Sequence, residues 1–565
     1  MLLHSSARRE PARAEMIPPR RNASARALVA ACCALALARG GAAGAEGIRF
    51  AEVSRPWGLD FRHHTAGSGQ FFMVETLGSG VVAFDYDADG DPDLLFVDSG
   101  PLPGYEGEPP RSRLFRNDGA RRFVDVTERA GIRVRDYGMG GTAGDVDGDG
   151  DLDLYVTAFG DGQLFRNEGD GTFADVTARA GVANGTWGTS AAFADADRDG
   201  DLDLYVTNYL DFSIAGNVVC RSPALDLRSH CAPSAYQGLH DRYYRNRGDG
   251  TFEDATAAAG FGEANGKGLG VVWSDLDDDG WQDLYVANDT TPNLLFRNRG
   301  NGTFEEIGLA SGVALSDRGK AEGGMGVEAA DLDGDGRRDL LVTNFDLESN
   351  GLYGNLGSWL FVDRRYASRL AEPSLLMVGF GVVAADLDHD SDLDLVVANG
   401  HIIQNIEQWE PAKSYRQRNQ VFENDGGGRF TELRDVGVDV VRSSRGLAAA
   451  DLDLDGDLDL AVSNADEGCE VYENRLETGR PWLQVALASG AANRHAIGAR
   501  LELDASGRRQ RREIRTSSSY LSQNELAAHF GLAGAAEARL AVHWPDGAVT
   551  SFAGVPARRQ LTILR

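Results

Sequence analysis

The sequence predicts an all-β protein: a seven-bladed β-propeller over 46–475 and a small β-rich C-terminal domain over 480–565, behind a leader at 1–45. Three observations carry that expectation. One aspartate-rich unit recurs seven times, and a repeat at this period overrides local readings. Each copy sits among short apolar runs bounded by Gly and Asp, which is a strand pattern. The seventh copy lacks its last strand, and the N-terminus carries a segment that matches it.

The leader comes first. Arg20 and Arg21 precede an apolar run from Ala27 to Ala38, and Ala43-Gly44-Ala45 offers a small-residue cleavage pattern. The run falls short of the ~20 residues a membrane span needs. Met16 is an alternative start, and Cys32 an alternative lipoprotein site behind a shorter apolar run. The expectation is a secreted, periplasmic or cell-surface protein with no membrane span.

The repeat follows. Each unit has an apolar stretch, an Asp-x-Asp-x-Asp-Gly-x-x-Asp-Leu loop, a second apolar stretch, a Leu-Phe-Arg-Asn-like segment and Gly-x-Phe-x-Asp-Val-Thr. In the first unit the runs are Ser79 to Phe84, Leu94 to Val97, Arg113 to Arg116 and Arg122 to Val126. Four short strands per unit form the blade pattern of a propeller. The seventh unit has strands near Leu447 to Ala450, Leu460 to Val462 and Val471 to Glu473, and Arg49 to Ser54 supplies the fourth. A sheet built from both ends closes the ring and removes an open edge. The longest gap between loops holds an insertion from Asp211 to Leu239.

The loops point to calcium. Position 1 is Asp85, Asp145, Asp195, Asp275, Asp331, Asp386 and Asp451. Position 3 is Asp87, Asp147, Asp197, Asp277, Asp333, Asp388 and Asp453. Position 5 is Asp89, Asp149, Asp199, Asp279, Asp335, Asp390 and Asp455. Position 7 varies (Asp91, Asp151, Asp201, Trp281, Arg337, Asp392 and Asp457), as expected if only its backbone carbonyl is used. Position 9 is Asp93, Asp153, Asp203, Asp283, Asp339, Asp394 and Asp459, and a Leu always follows. Alternate carboxylates in a tight loop converge on one point, and calcium takes six to eight oxygens at about 2.3–2.6 Å. The Glu of an EF-hand is missing, and apolar residues such as Phe96 and Val156 stand in its place. Magnesium keeps more of its waters, and zinc wants Cys or His, of which the loops offer only His389 at a non-ligand position. The plain alternative is seven Asx-turns joining strands. The sixth loop departs at Ser391, where the others have Gly. About seven structural Ca²⁺ are therefore expected.

Charge agrees. Asp+Glu 86 against Lys+Arg 56 gives a net charge of −30, which disfavours nucleic acid and anionic membranes as partners. In an exported chain, Cys220 and Cys231 inside one insertion are expected to form a disulfide. Cys32 and Cys33 leave with the leader, and Cys469 is left as a buried thiol in a late strand.

The loop Phe84-Asp85-Tyr86-Asp87-Ala88-Asp89-Gly90-Asp91-Pro92-Asp93-Leu94 resembles the FG-GAP/VCBS repeats, which include the integrin α-subunit propeller. So do Leu164-Phe165-Arg166-Asn167 and Gly171 to Thr177. This resemblance covers Gly47 to Asn474. The C-terminal stretch resembles the ASPIC/UnbV domain through Glu513-Ile514, Ser519 to Gln523, His529 to Leu532 and Val542 to Gly547. The pairing of the two resembles the cartilage acidic protein group. The resemblance implies calcium binding and an extracellular or periplasmic adhesion or scaffold role, with a protein or glycan ligand.

The C-terminal domain has strand-like runs at Trp482 to Leu487, Arg500 to Leu503, Ala538 to Trp544 and Gln560 to Leu564, with a turn at Pro545-Asp546-Gly547. Arg508, Arg509, Arg511 and Arg512 read as a solvated hairpin tip or as a contact with an acidic face. Ser517, Ser518, Ser519 and Tyr520 offer hydroxyls without an obvious base, and His529 reads as packed. Two function classes remain: a binding module, and a polysaccharide lyase or hydrolase that needs two carboxylates about 5–10 Å apart. The segment His401 to Trp409, with Gln404, Glu407 and Gln408, is a candidate ligand-facing loop. His63-His64 is a tempting metal pair, but neighbours on a strand point to opposite faces. The sequence carries no catalytic residues by motif.

Overall fold

The computed structural model describes residues 47–222, 225–262 and 265–565. The leader at 1–45, with Cys32 and Cys33, lies outside the described residues. The fold is all-β. Seven four-stranded antiparallel sheets follow one another along the chain, the second and third joined by a short pairing of Trp187 with Phe159. Their first strands are Val81–Phe84, Tyr137–Gly144, Thr186–Ala194, Gly268–Ser274, Val327–Ala330, Gly379–Ala385 and Ser444–Ala450.

The fourth sheet shows why the sequence folds this way. Gly268–Ser274 and Asp283–Asn288 are buried along their whole length, because each is covered on both faces. Leu294–Asn298 buries Leu295, Phe296 and Asn298 and leaves Leu294 and Arg297 half-buried, and Phe304–Glu306 keeps only Phe304 inside. Burial thus falls from the first strand to the fourth. The first strands of successive sheets pack side by side, and Ser444–Ala450 packs against Val81–Phe84, so the sheets form a closed ring. The seventh sheet takes its outer strand from the N-terminal side: Phe50–Glu52 pairs with Glu470–Asn474, Ala51 opposite Glu473. A sheet built from both ends of the repeat region thus closes the ring.

The C-terminal residues form two further sheets. Trp482–Ala488 lies between Ala528–Gly531 and Arg559–Leu564. The other sheet runs in the order Arg508–Glu513, Arg500–Ala505, Glu537–His543 and Val549–Pro556. Their core, with Leu483, Leu501, Phe530 and Val542, is continuous with Phe193 and Leu202 of the third ring sheet.

A loop of these C-terminal residues enters the ring centre and bonds the first strand of every sheet. Gln523 pairs with Val81 and Ala83 of the first sheet. Thr142 of the second donates to Gln523 Oε1, and the Thr516 hydroxyl exchanges hydrogen bonds with Phe193 of the third. Trp273 N–H of the fourth donates to Ser517 Oγ, and Ser519 pairs with Val327 of the fifth. Ser519 Oγ accepts from Val382 of the sixth and donates to the Leu447 carbonyl of the seventh. The Ser517 and Ser519 hydroxyls therefore serve as axial hydrogen-bonding groups, while Tyr520 donates to the Leu77 carbonyl and Ser518 accepts from Asn524 within the loop. Gly80 shows how tight the fit is: a Cβ there would lie 1.9 Å from the Leu521 carbonyl oxygen.

Candidate metal centres and the two ends of the ring

Each aspartate loop joins the first and second strands of its sheet, so all seven lie at one end of the ring. Carboxylate oxygens of Asp85, Asp87 and Asp93 lie within 4.8 Å of one another, as do those of Asp145, Asp147 and Asp153. The same holds for Asp195-Asp197-Asp199, Asp275-Asp277-Asp279 and Asp331-Asp333-Asp335.

Several of the fixed aspartates also have a turn role. Position 1 accepts the position-6 N–H in every loop, from Gly90 on Asp85 to Gly456 on Asp451. Position 5 accepts the position-7 N–H in every loop, as Asp89 does from Asp91 at 3.0 Å. Position 9 is occupied at both oxygens: Asp93 accepts Tyr86 N–H at 3.0 Å and Asn117 N–H at 2.7 Å. Hydrogen bonding within the turn thus accounts for part of the repeat's fidelity.

It does not account for all of it. Every loop retains a buried carboxylate oxygen with no hydrogen-bond partner: Oδ1 of Asp87, Asp147, Asp197, Asp275, Asp331, Asp392 and Asp451. Such an orphan costs about 1–3 kcal/mol, and more when charged. Burial, reinforced by neighbouring carboxylates, pushes Asp145 to about 7, Asp195 to about 7 and Asp451 to about 7. Asp93 rises to about 9 and Asp153 to about 8 for the same reasons. Carboxylates crowded this way suit a divalent cation, which repairs both the desolvation and the repulsion. The oxygen-only donor set fits calcium.

Arginines temper some loops. Arg364, Arg480 and Arg121 pair with position 3 of the fifth, sixth and seventh loops, at Asp333, Asp388 and Asp453. At position 7, Trp281 stacks under Arg198, 4.1 Å from its centroid, and Arg337 pairs with Asp335.

One recurrent residue gained no role from sequence reasoning. The Asn ending the third strand of each sheet (Asn117, Asn167, Asn246, Asn298, Asn355, Asn424 and Asn474) donates its Nδ2 to the preceding sheet's loop. Asn298 reaches the Ala196 carbonyl at 2.8 Å, and Asn117 closes the ring on Leu452, also at 2.8 Å. Its fixed place in the Leu-Phe-Arg-Asn segment was the available signal.

The C-terminal domain covers this loop end. Arg511 pairs with Asp278 at 3.0 Å, Arg508 donates to the Asp390 carbonyl at 2.7 Å, and Arg512 is half-buried and stacked on Phe530. Of the two readings of this basic run, contact with an acidic face is the observed one. Arg508 and Arg509 stay exposed, and among the described residues Arg509 makes no close contact with the loops. His529 is packed, with Nε2 2.9 Å from the Gly456 carbonyl.

At the opposite end, three excursions meet. Cys220 and Cys231 are joined by a disulfide, with Cα atoms 5.2 Å apart. From that insertion, Asn217 and Arg228 both donate to the Gln70 carbonyl. Asn405 donates to the Arg228 carbonyl at 3.0 Å, and Gln404 to Asp466 at 3.4 Å. The expectation for His63 and His64 needs correction. The segment runs outside the sheets, so the rings do not diverge: both approach Asp98, His64 at 3.0 Å and His63 at 4.0 Å. Cys469 is a buried free thiol.

The model of the FG-GAP-like repeat matches residues 85–156, 145–206, 234–286, 275–342, 331–397 and 412–462. The chain belongs to the FG-GAP-like repeat family. The ASPIC and UnbV model matches residues 489–565 of this FG-GAP-like chain. Cartilage acidic protein 1 of Xenopus tropicalis is 28% identical over 317 residues, 54% of this chain and 45% of that protein. The Homo sapiens protein of that name is 29% identical, with 54% and 45% covered. The chain thus spans about half the length of these relatives. Among solved structures, an Agrocybe aegerita lectin recognising non-reducing terminal N-acetylglucosamine has a TM-score of 0.39 and 18% identity, covering 69% of this chain and 87% of that one. BBS1N in complex with ARL6DN has a TM-score of 0.37 and 10% identity, covering 71% and 94%. Both likenesses are loose.

Proposed function

We propose that this FG-GAP-like chain is an exported interaction or scaffold module whose seven aspartate loops hold calcium as a structural ion. The observation that carries the reading is the orphaned, buried carboxylate oxygen that recurs once in each loop. Positions 1, 3, 5 and 9 supply the side-chain oxygens and position 7 its backbone carbonyl, with the orphaned Asp392 carboxylate added at position 7 of the sixth loop. A bound ion links adjacent sheets indirectly, because each loop also receives the next sheet's Asn. Ion binding then adds to folding stability. The ring and the 480–565 domain act as one body, the second covering the loop end of the first. That leaves the other end for a protein or glycan ligand, outside the cell or in the periplasm.

The test is a metal count on the mature protein beside thermal unfolding in excess calcium and in chelator. About seven calcium ions and a large fall in melting temperature on chelation are expected. No calcium and no shift would reduce the loops to plain turns. Incubation of the calcium-loaded protein with a polysaccharide panel separates binding from lyase or hydrolase activity. Intact polysaccharide is the expected result.

A further inference from the structure

We infer that a cavity of about 220 Å³ at the end of the ring away from the aspartate loops binds one sugar ring. The inference rests on reading the chain as a binding module and names the ligand class. The cavity is smaller than the roughly 300–1,000 Å³ typical of drug-sized ligands, so it suits a single ring. Its lining includes His64, Phe71, Glu75, Tyr105, Gln404 and Asp466.

The site is built by the surrounding structure. Asp466 is held by Thr65, whose N–H donates at 2.7 Å and whose hydroxyl donates at 2.8 Å, and Gln404 donates to the same carboxylate at 3.4 Å. His64 is fixed by Asp98, which accepts its N–H at 2.7 Å and faces its Nδ1 at 3.0 Å. Glu75 is 4% exposed. Its Oε2 faces His230 Nε2 at 3.3 Å, while Oε1 is buried without a partner. His230 Nδ1 is likewise unpartnered. Of the two, Glu75 lines the cavity, and a buried orphan there is a group a ligand can complete. Phe71 has φ of 53°, a left-handed conformation that a bulky residue adopts only under constraint.

The chemistry selects the ligand. Two carboxylates and an amide accept hydrogen bonds from several hydroxyls at once, and Phe71 and Tyr105 offer apolar faces to ring C–H groups. An organic cation fits less well, because Arg228 already lies over the Phe71 ring at 5.8 Å and Arg62 bonds the Asp466 carbonyl. A neutral polyhydroxyl ring meets no such repulsion.

The test is saturation-transfer NMR on the calcium-loaded full chain with methyl glycosides of glucose, galactose, mannose, N-acetylglucosamine and fucose. Tetramethylammonium serves as the cation probe. At least one glycoside is expected to show transfer, with affinity at least tenfold weaker in both Gln404→Ala and Glu75→Gln. Calcium content and melting temperature, measured on each sample, are expected to stay unchanged. No transfer from any glycoside to a protein that holds its calcium would overturn the sugar site while leaving the calcium reading intact. Undiminished transfer in both variants, or binding of tetramethylammonium alone, would overturn it as well.

Discussion

The Ser391 hydroxyl donates to the Gly531 carbonyl at 3.1 Å, and the Gly531 N–H returns a bond to Asp386 Oδ2 at 2.9 Å. The one loop that departs from the Gly pattern is thus among the loops that dock the C-terminal domain. Ser391 takes φ of 85°, a region that favours glycine, and its hydroxyl bond offsets that strain. Replacing it with Gly exchanges about 1 kcal/mol of backbone relief for a hydrogen bond of similar worth, so Ser391→Gly should be near neutral. Gly531→Ala should not be. A Cβ there would lie 2.2 Å from Asp386 Oδ2 and 2.3 Å from His389 Cα. The expected outcome is a loss of roughly 3 kcal/mol and of one bound calcium, read by denaturant midpoint and metal count. A variant with full calcium and wild-type stability would show that the contact does not matter.

The Asn298 side chain bonds the Ala196 carbonyl at 2.8 Å and the Gln282 carbonyl at 3.0 Å, tying the fourth sheet to the third. Asn298→Ala leaves both carbonyls buried and unpaired. The expected cost is about 2–4 kcal/mol, measured by urea denaturation at saturating calcium so that ion loss does not contribute. A change below about 0.5 kcal/mol would place the inter-sheet strength elsewhere.

Local pattern made the ring legible. The Asp85-type loops, the short apolar runs and the Phe50 strand each have a fixed spacing, and Phe50–Glu52 completes the seventh sheet as the repeat requires. The axial loop had no such signal. Ser519 bonds Val327, Val382 and Leu447, which hold equivalent places in their repeats, but nothing in the spacing says that a serine outside the repeats meets them, and the serines read as idle hydroxyls. The basic run was ambiguous for the same reason: whether Arg511 meets water or Asp278 depends on docking. Gln404 and His64 were each noticed alone, but only the fold brings them to one cavity. Position 9 was legible as fixed, while its bonds to Tyr86 and Asn117 were not.

Gly80 lies against the axial loop with no room for a side chain. Besides the Leu521 carbonyl, a Cβ would meet Gly140 Cα at 2.7 Å, and both obstacles are backbone. Gly80→Ala should therefore displace the loop and destabilise the protein by about 3 kcal/mol or more. Because the loop bonds all seven first strands, ring and C-terminal domain should unfold in one transition in calorimetry of the wild type. Two separate transitions would show that the domain docks on an independently stable ring.

His401 gives the acid side of stability a specific contributor. Burial, with Lys413 and Arg445 nearby, lowers its pKa from 6.5 to about 4, while Glu410 and Glu407 oppose that weakly. Its Nδ1 accepts the Ile403 N–H at 3.0 Å, a bond that protonation abolishes. A histidine held neutral in the fold takes up its proton more readily when unfolded. Its contribution is therefore complete above pH 6.5 and is lost as pH falls toward 4. By pH 5 the loss amounts to about 2 kcal/mol. In urea titrations at pH 7.5 and pH 5, His401→Gln should lose less stability than the wild type by about that amount. The aspartate loops titrate equally in both proteins and cancel in the comparison. An identical pH dependence in the two would show that His401 is not held neutral by the fold.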